Sequence, residues 1–208
     1  MDKQSVFIET YQNYLDQISN IDLHKRSEKL GGRIEKDEMV VSFFGKPHRI
    51  SSRGITDPFG KQPLMGICVL LCKYLLLCPD MPSLDKEWDS IRDFKNTAPL
   101  IHSFVNHTER PIARIFSNRL EDLSVACEKL GGENPGLGLN YQLIMKLYPL
   151  PKVSVLLLFD DADEEFPAQC KVLFERRAEH YLDPECLAIL GTLLYEFLKK
   201  VQSEKNQD

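Results

Sequence analysis

The chain has 208 residues, 43% of them hydrophobic and 27% charged, a composition that excludes a disordered, collagen-like or polytopic membrane chain. Lys and Arg number 26 against 31 Asp and Glu, for a net charge of −5, so no general basic field invites nucleic acid or an anionic membrane. The length favours one large domain over two, read as residues 1–202 with a polar tail at 203–208.

The first residues, Met1-Asp2-Lys3-Gln4-Ser5-Val6, lack the basic and apolar runs of a secretory signal. A cytoplasmic location is therefore expected, where the six cysteines would stay reduced. Residues 5–18 place Val6, Ile8, Tyr11, Tyr14, Leu15 and Ile18 mostly three and four apart, the pattern of an amphipathic helix. A second short helix ends at Glu28-Lys29-Leu30-Gly31-Gly32, since the position after a helix end favours a left-handed backbone that glycine adopts cheaply. Residues 39–44 are β-rich, and Gly45-Lys46-Pro47 turns them back into His48-Arg49-Ile50, predicting a hairpin over 39–50. Residues 51–61 hold Gly54, Pro58 and Gly60 and predict a loop.

Residues 64–78 are the most apolar stretch, 15 long with Lys73 inside. A membrane span needs roughly 17–25 residues, so the stretch predicts a buried helix, stopped at Cys78-Pro79-Asp80. Ser83 or Asp85 is placed to cap a short helix through Trp88 and Ile91. Residues 99–107 and 111–130 predict helices, with Pro111 suited to a first helical position. The second of them ends in another Glu128-Lys129-Leu130-Gly131-Gly132. Leu-Gly-Gly is a common helix stop and the flanks do not otherwise align, so the repeated word is read as coincidence rather than duplication. Strands follow at 140–147 and 152–160, the latter almost wholly apolar and expected to be buried on both faces. Residues 167–181 and 183–201 predict closing helices. The fold class is α+β: a single domain with a small, mostly antiparallel sheet (hairpin 39–50, strands 140–147 and 152–160) packed with several helices.

Most motifs fail on spacing. The segment from Gly54 to Gln62 nearly spells a phosphate loop, but it has five residues between the glycines instead of four and Gln62 where Ser or Thr should follow the lysine. A weaker expectation remains, that Lys61 at a helix start and Arg53 nearby hold an anion. Cys68, Cys72 and Cys78 lie along the apolar helix, where thiols behave as inert small hydrophobes. The sequence shows no zinc spacing, nucleophile elbow or dinucleotide fingerprint. The most concentrated polar feature is Asp160-Asp161-Ala162-Asp163-Glu164-Glu165-Phe166-Pro167. Its carboxylates, above all Asp163, Glu164 and Glu165, suit a hard cation or acid–base work. The alternative is helix N-terminal capping, which acidic residues favour.

At this turn the sequence resembles a known family, domain of unknown function 3786. The resemblance rests on Leu157-Leu158-Phe159-Asp160-Asp161-Ala162-Asp163-Glu164-Glu165-Phe166-Pro167, then Val172-Leu173-Phe174-Glu175 and His180-Tyr181-Leu182-Asp183-Pro184-Glu185. Earlier words agree: Leu30-Gly31-Gly32, Phe43-Phe44-Gly45, the Leu-rich helix around 70–77, Trp88 near Arg92, and Leu130-Gly131-Gly132. The chain departs from the family pattern at Ala162, where Gly is usual, at Glu175, which replaces Asp, and at Cys186, which replaces an acid. The resemblance implies a bacterial or archaeal cytosolic protein, often from anaerobes, without an assigned activity. Some members look fused to a four-cysteine iron–sulfur module, and this chain does not carry one.

Two functions are therefore expected. The first is a ligand- or protein-binding module, accessory to an anaerobic metalloenzyme or a one-carbon or corrinoid system, with an unidentified small ligand or protein partner. The second is a carboxylate-based, Mg-dependent hydrolase or transferase built on the 160–165 turn, with Arg53 or Lys61 assisting. In the second, the acids should converge on a pocket containing His48, Arg53 or Arg92. The sequence identifies neither a cofactor nor a metal site.

Overall fold

A computed structural model describes residues 3–205, with side chains from residue 8 onward. The Val6 side chain and the last three residues of the expected tail lie outside that description. Helix α1 (Lys3–Ile18) leads into α2 (Leu23–Leu30), whose first turn is capped by the Asp22 carboxylate accepting from Lys25 N–H. The next residue, Gly31, sits at φ 74, and Gly32 donates back to the Ser27 carbonyl at 2.8 Å. The chain then runs as an antiparallel meander, β1 (Arg33–Glu35), β2 (Glu38–Phe43), β3 (Lys46–Ser51) and β4 (Gly54–Thr56), into the apolar helix α3 (Met65–Leu76).

The second part begins with β5 (Trp88–Ser90). A helical run follows, through α4 (Ile101–Phe104), a wide π turn at Val105–Glu109, and α5 (Arg110–Phe116). The sequence predicted a break before Pro111, yet the helix passes through it. Proline has no N–H to donate and its ring crowds the carbonyl four residues back; the widened turn relieves both. Helix α6 (Leu120–Lys129) ends at the second Gly-Gly, with Gly131 at φ 78 and Gly132 donating to Cys127 O at 2.8 Å. Glu133 makes a short bridge to Lys146. Strands β6 (Leu143–Leu150), β7 (Val153–Asp160) and β8 (Gln169–Glu175) and helix α7 (Pro184–Lys205) complete the chain.

The class is α+β and antiparallel, as expected, but the strands predicted for one small sheet belong to two four-stranded sheets, ordered β1-β2-β3-β4 and β5-β8-β7-β6. Strand β7 is central in its sheet and buried on both faces, as its unbroken apolar run requires. Several expectations are corrected. Trp88–Ser90 is strand β5, followed by a 3-10 turn, rather than part of a capped helix, and the helix predicted over 111–130 breaks between Phe116 and Leu120. The segment 167–181 is not a helix: Gln169–Glu175 pairs with β7, and only Arg176–His180 coils, as a 3-10 turn. Its alternating buried and exposed residues, Cys170, Val172 and Phe174 facing in, carry the strand period. The expected 51–61 loop contains β4, paired to β3 through Ile50 and Ile55. Helix α7 also continues to Lys205, through the first part of the predicted tail.

The order of elements repeats. Helix, helix, Gly-Gly, meander and helix describe both α1–α3 and the run from α4 to α7, so the twice-written Glu-Lys-Leu-Gly-Gly marks the same joint in each half. The halves share one apolar core. Phe44 N–H donates to Pro149 O at 3.0 Å, and the Tyr74 hydroxyl of α3 donates to Leu30 O and accepts from Lys152 N–H across the halves.

In α7, a Cβ added at Gly191 would overlap the Phe104 ring and lie 2.8 Å from Thr108 Oγ1. This fits the crossing of α7 over the π turn, where the Thr108 hydroxyl is sealed without a partner. Gly191→Ala should cost about 1–3 kcal/mol, the usual penalty for overpacking. Urea unfolding tests this; an unchanged midpoint would mean the crossing is looser than the structure has it.

Candidate functional site

The acidic turn is built from carboxylates that accept from backbone N–H groups, some within the turn and some in neighbouring segments. Asp160 accepts from Gln142 N–H, and Asp161 accepts from Asn118 N–H and Ala162 N–H. Asp163 accepts from Glu165 N–H and Phe166 N–H, and those two bonds hold its carboxyl below the usual range. Glu164 and Glu165 are exposed. The turn joins β7 to β8 rather than entering a helix, so the expected helix-capping role does not arise. Asp161 instead ties the turn to the bend between α5 and α6.

The basic candidates lie elsewhere and apart. Arg53, exposed in the turn between β3 and β4, pairs with Glu38 at 3.2 Å. Lys61 does not begin a helix, since α3 starts at Met65. The Asp57 carboxylate accepts from Phe59 N–H and Lys61 N–H, both at 2.9 Å, and occupies the donors that a phosphate loop would turn on its ligand. Arg92 is exposed in the 3-10 turn Ile91–Asp93, and its charge faces the half-buried Glu109. The shallow depression at the acidic turn is lined by Asp160, Asp161 and Asp163 with Tyr141 and Phe166, and includes none of His48, Arg53 or Arg92. No group of metal-ligating side chains assembles among the described residues.

His48 is placed differently. It lies on β3 and is only 5% exposed. Its ring lines a cavity of about 330 Å³ between the β2–β3 hairpin, the 57–64 loop and the last turns of α7. The Nδ1 atom is 3.0 Å from the Lys46 carbonyl. A carbonyl only accepts, so Nδ1 carries the proton and Nε2 is the acceptor. Nε2 has no hydrogen-bond partner among the described residues. Burial lowers the pKa of the ring and keeps it neutral at pH 7.

The walls are aromatic. Phe43, Phe44 and Phe197 meet edge to face, with centroids 5.0 to 6.0 Å apart, and His48 stands edge-on to Phe43 at 5.8 Å. Phe44 holds φ 46, a left-handed conformation that costs a bulky residue free energy. Its N–H bond to Pro149 and the Phe197 ring keep it there. Ile67, Leu130 and Val201 complete the apolar lining, and Lys46, Lys200 and Glu204 stand at the rim.

The cavity has a filled counterpart in the other half. There Gly31, after α2, lies so close to Pro151 in the β6–β7 turn that an added Cβ would be 2.8 Å away, and the Tyr74 hydroxyl seals the joint. Here Gly131, after α6, has nothing within 4 Å of such a Cβ. Leu130 faces the β2–β3 turn across open space, and α7 presents Phe197 in place of a tyrosine.

Sequence reasoning named His48 but not its aromatic setting. The doubled Phe43-Phe44 before a turn was the available signal. It noted Glu175 as a departure from the family pattern but missed its setting: the side chain is 1% exposed and pairs with Lys146 at 3.0 Å and with Arg177. The cysteines are buried as expected, and burial pushes the Cys68 and Cys72 thiols up to about 11 and about 12. No helix among the described residues is long and apolar enough to cross a membrane.

The molecule is thus an antiparallel α+β protein with one aromatic-walled cavity between repeated halves. The family model described as "Domain of unknown function (DUF3786)" matches residues 22–196, and the chain belongs to that family. No curated protein and no solved structure matches it.

Glu109 supplies a pH test of the π turn. Burial raises its pKa above the ordinary 4.5, against the lowering effect of the Val172 N–H it accepts. A raised native pKa means that the stability linked to its proton is full below the unfolded value and lost as pH rises through the native one. Glu109→Gln keeps an oxygen for Val172 and removes that loss. The variant should therefore gain on the parent between pH 4 and pH 7 in paired urea titrations. A constant difference would show that Glu109 is not desolvated.

Proposed function

We infer that the protein is a non-catalytic binding module whose ligand occupies the cavity between the β2–β3 hairpin and the end of α7. The observation that carries this reading is the buried imidazole of His48, with one ring nitrogen committed to the backbone and the other unpartnered in an aromatic enclosure. Concave, mostly apolar sites with a few placed polar groups are where small ligands bind. Nε2 is not sealed from solvent, the Thr108 hydroxyl being the sealed and unpartnered side-chain atom among the described residues, so a ligand donor can reach it and replace its hydration.

Among the described residues no hydroxyl, thiol or carboxylate hydrogen-bonds to His48, although the Asp57 charge lies near enough to act on it. The thiols are buried in apolar surroundings, and the acidic turn spends three of its carboxylates on N–H groups. On the family resemblance alone, the reading extends to an accessory role in the cytoplasm of an anaerobic bacterium or archaeon, beside a metalloenzyme or a one-carbon or corrinoid system. Affinity purification from such a host that recovers no metalloenzyme would remove that extension.

The binding site itself is tested with an environment-sensitive apolar dye, anilinonaphthalene sulfonate. The dye should saturate at one equivalent on the native chain. Val201→Trp, which fills the cavity, should weaken it about tenfold, equivalent to about 1.4 kcal/mol, while melting stays cooperative. Leu130→Trp fills the opposite wall and serves as the second variant. Dye affinity unchanged in both folded variants would eliminate the cavity as the site.

A further inference from the structure

We propose that the cavity receives a small aromatic carboxylic acid whose ring carries an O–H or N–H donor. This deepens the reading above and rests on it. Three features of the enclosure select the ligand.

The first is shape. About 330 Å³ is at the small end of ligand pockets and suits a one- or two-ring molecule rather than a nucleotide. Phe43, Phe44 and Phe197 already meet edge to face, and a planar ring continues that packing, since aromatic edges are electropositive and faces electronegative. Phe59 and Leu64, at the mouth, are 85% and 67% exposed and gain cover when a ring is seated.

The second is the polar group within. Neutral His48 offers Nε2 as a lone-pair acceptor, because its Nδ1 proton is held by the Lys46 carbonyl. A phenol O–H or an indole N–H fits that atom, whereas a purely hydrocarbon ring leaves it unsatisfied.

The third is the rim. Lys46 and Lys200 make no ion pair among the described residues. Two carboxylates also line the cavity. Asp57 is bound by the N–H groups of Phe59 and Lys61 within its own loop. Glu204 is exposed and unpaired among the described residues. Asp57 keeps its charge, so the mouth is balanced in formal charge, but its Oδ1 already accepts from two N–H groups. Two free ammonium donors against one free carboxylate suit the charged end of an acid better than that of an amine.

The test titrates the full chain, by calorimetry and by displacement of the dye, with three probes: 4-hydroxyphenylacetate, phenylacetate and tyramine. The expected order has 4-hydroxyphenylacetate tightest. Phenylacetate, lacking the ring hydroxyl, should bind about tenfold more weakly, the loss of one hydrogen bond. Tyramine, with an ammonium in place of the carboxylate, should bind more weakly by a similar factor. His48→Phe should erase the preference for the hydroxyl, and the double change Lys46→Gln with Lys200→Gln should erase the preference for the acid. If His48→Phe does not fold, imidazole nitrogen resonances of the native chain decide instead: Nε2 of His48 should shift with 4-hydroxyphenylacetate and not with phenylacetate.

Equal affinities for the three probes overturn the proposal. So does a preference for the hydroxyl that survives His48→Phe. If no probe displaces dye that Val201→Trp does remove, the ligand class is wrong and the cavity reading stands. If Val201→Trp leaves dye binding intact, the cavity reading fails first.

Discussion

The Tyr74 hydroxyl fastens the two halves to each other. It donates to the Leu30 carbonyl at the end of α2 and accepts from Lys152 N–H in the β6–β7 turn. Leu30 and Lys152 belong to different halves, so one side chain from α3 closes a helix terminus of its own half onto a strand turn of the other. Burial keeps the phenol protonated throughout the physiological range, against the lowering effect of the Lys152 N–H it accepts. Around it the core is continuous, and β7, buried on both faces, gives the second sheet its interior.

The corresponding joint in the second half is made without a hydroxyl, and the cavity exists for that reason. Phe197 packs against Phe43 and Phe44 but cannot bond to the end of α6, and Gly131 has no neighbour of the kind that Pro151 provides for Gly31. A repeated contact has been kept in one copy and opened in the other. The opened copy also holds the one bulky aromatic with a left-handed backbone, Phe44, and the one buried histidine, among the described residues. An enclosure with a strained wall at Phe44 costs stability, which is a trade commonly found at binding sites.

Sequence alone was a good guide wherever local chemistry decides the outcome. The Gly-Gly helix stops, the hairpin around Gly45 and the apolar α3 follow from backbone preference and hydrophobic run length, and all three form as expected. The strand 169–175 was misread as helix because its pattern is short and begins after an acidic stretch that imitates a helix start. Its alternation was the local signal of a strand, and pairing with β7 on one side and β5 on the other holds it as one. The repeat was visible as five residues and dismissed because side chains had diverged, whereas the order of elements had not.

The acidic turn illustrates why concentrated charge misleads. Five acids in six residues suggest a site, yet a turn between two central strands exposes many backbone donors that need partners. Asp160, Asp161 and Asp163 meet that need, and Asp161 extends it to the bend at Asn118, where φ is 58. Carboxylates held this way are acceptors already in use, while Glu164 and Glu165 are exposed. His48 is the opposite case: one unremarkable residue in the sequence, whose meaning comes from what its second nitrogen lacks. The candidate site is therefore legible in where His48 sits, its Nδ1 bound to the Lys46 carbonyl and its ring in the wall of an aromatic cavity, and not in composition.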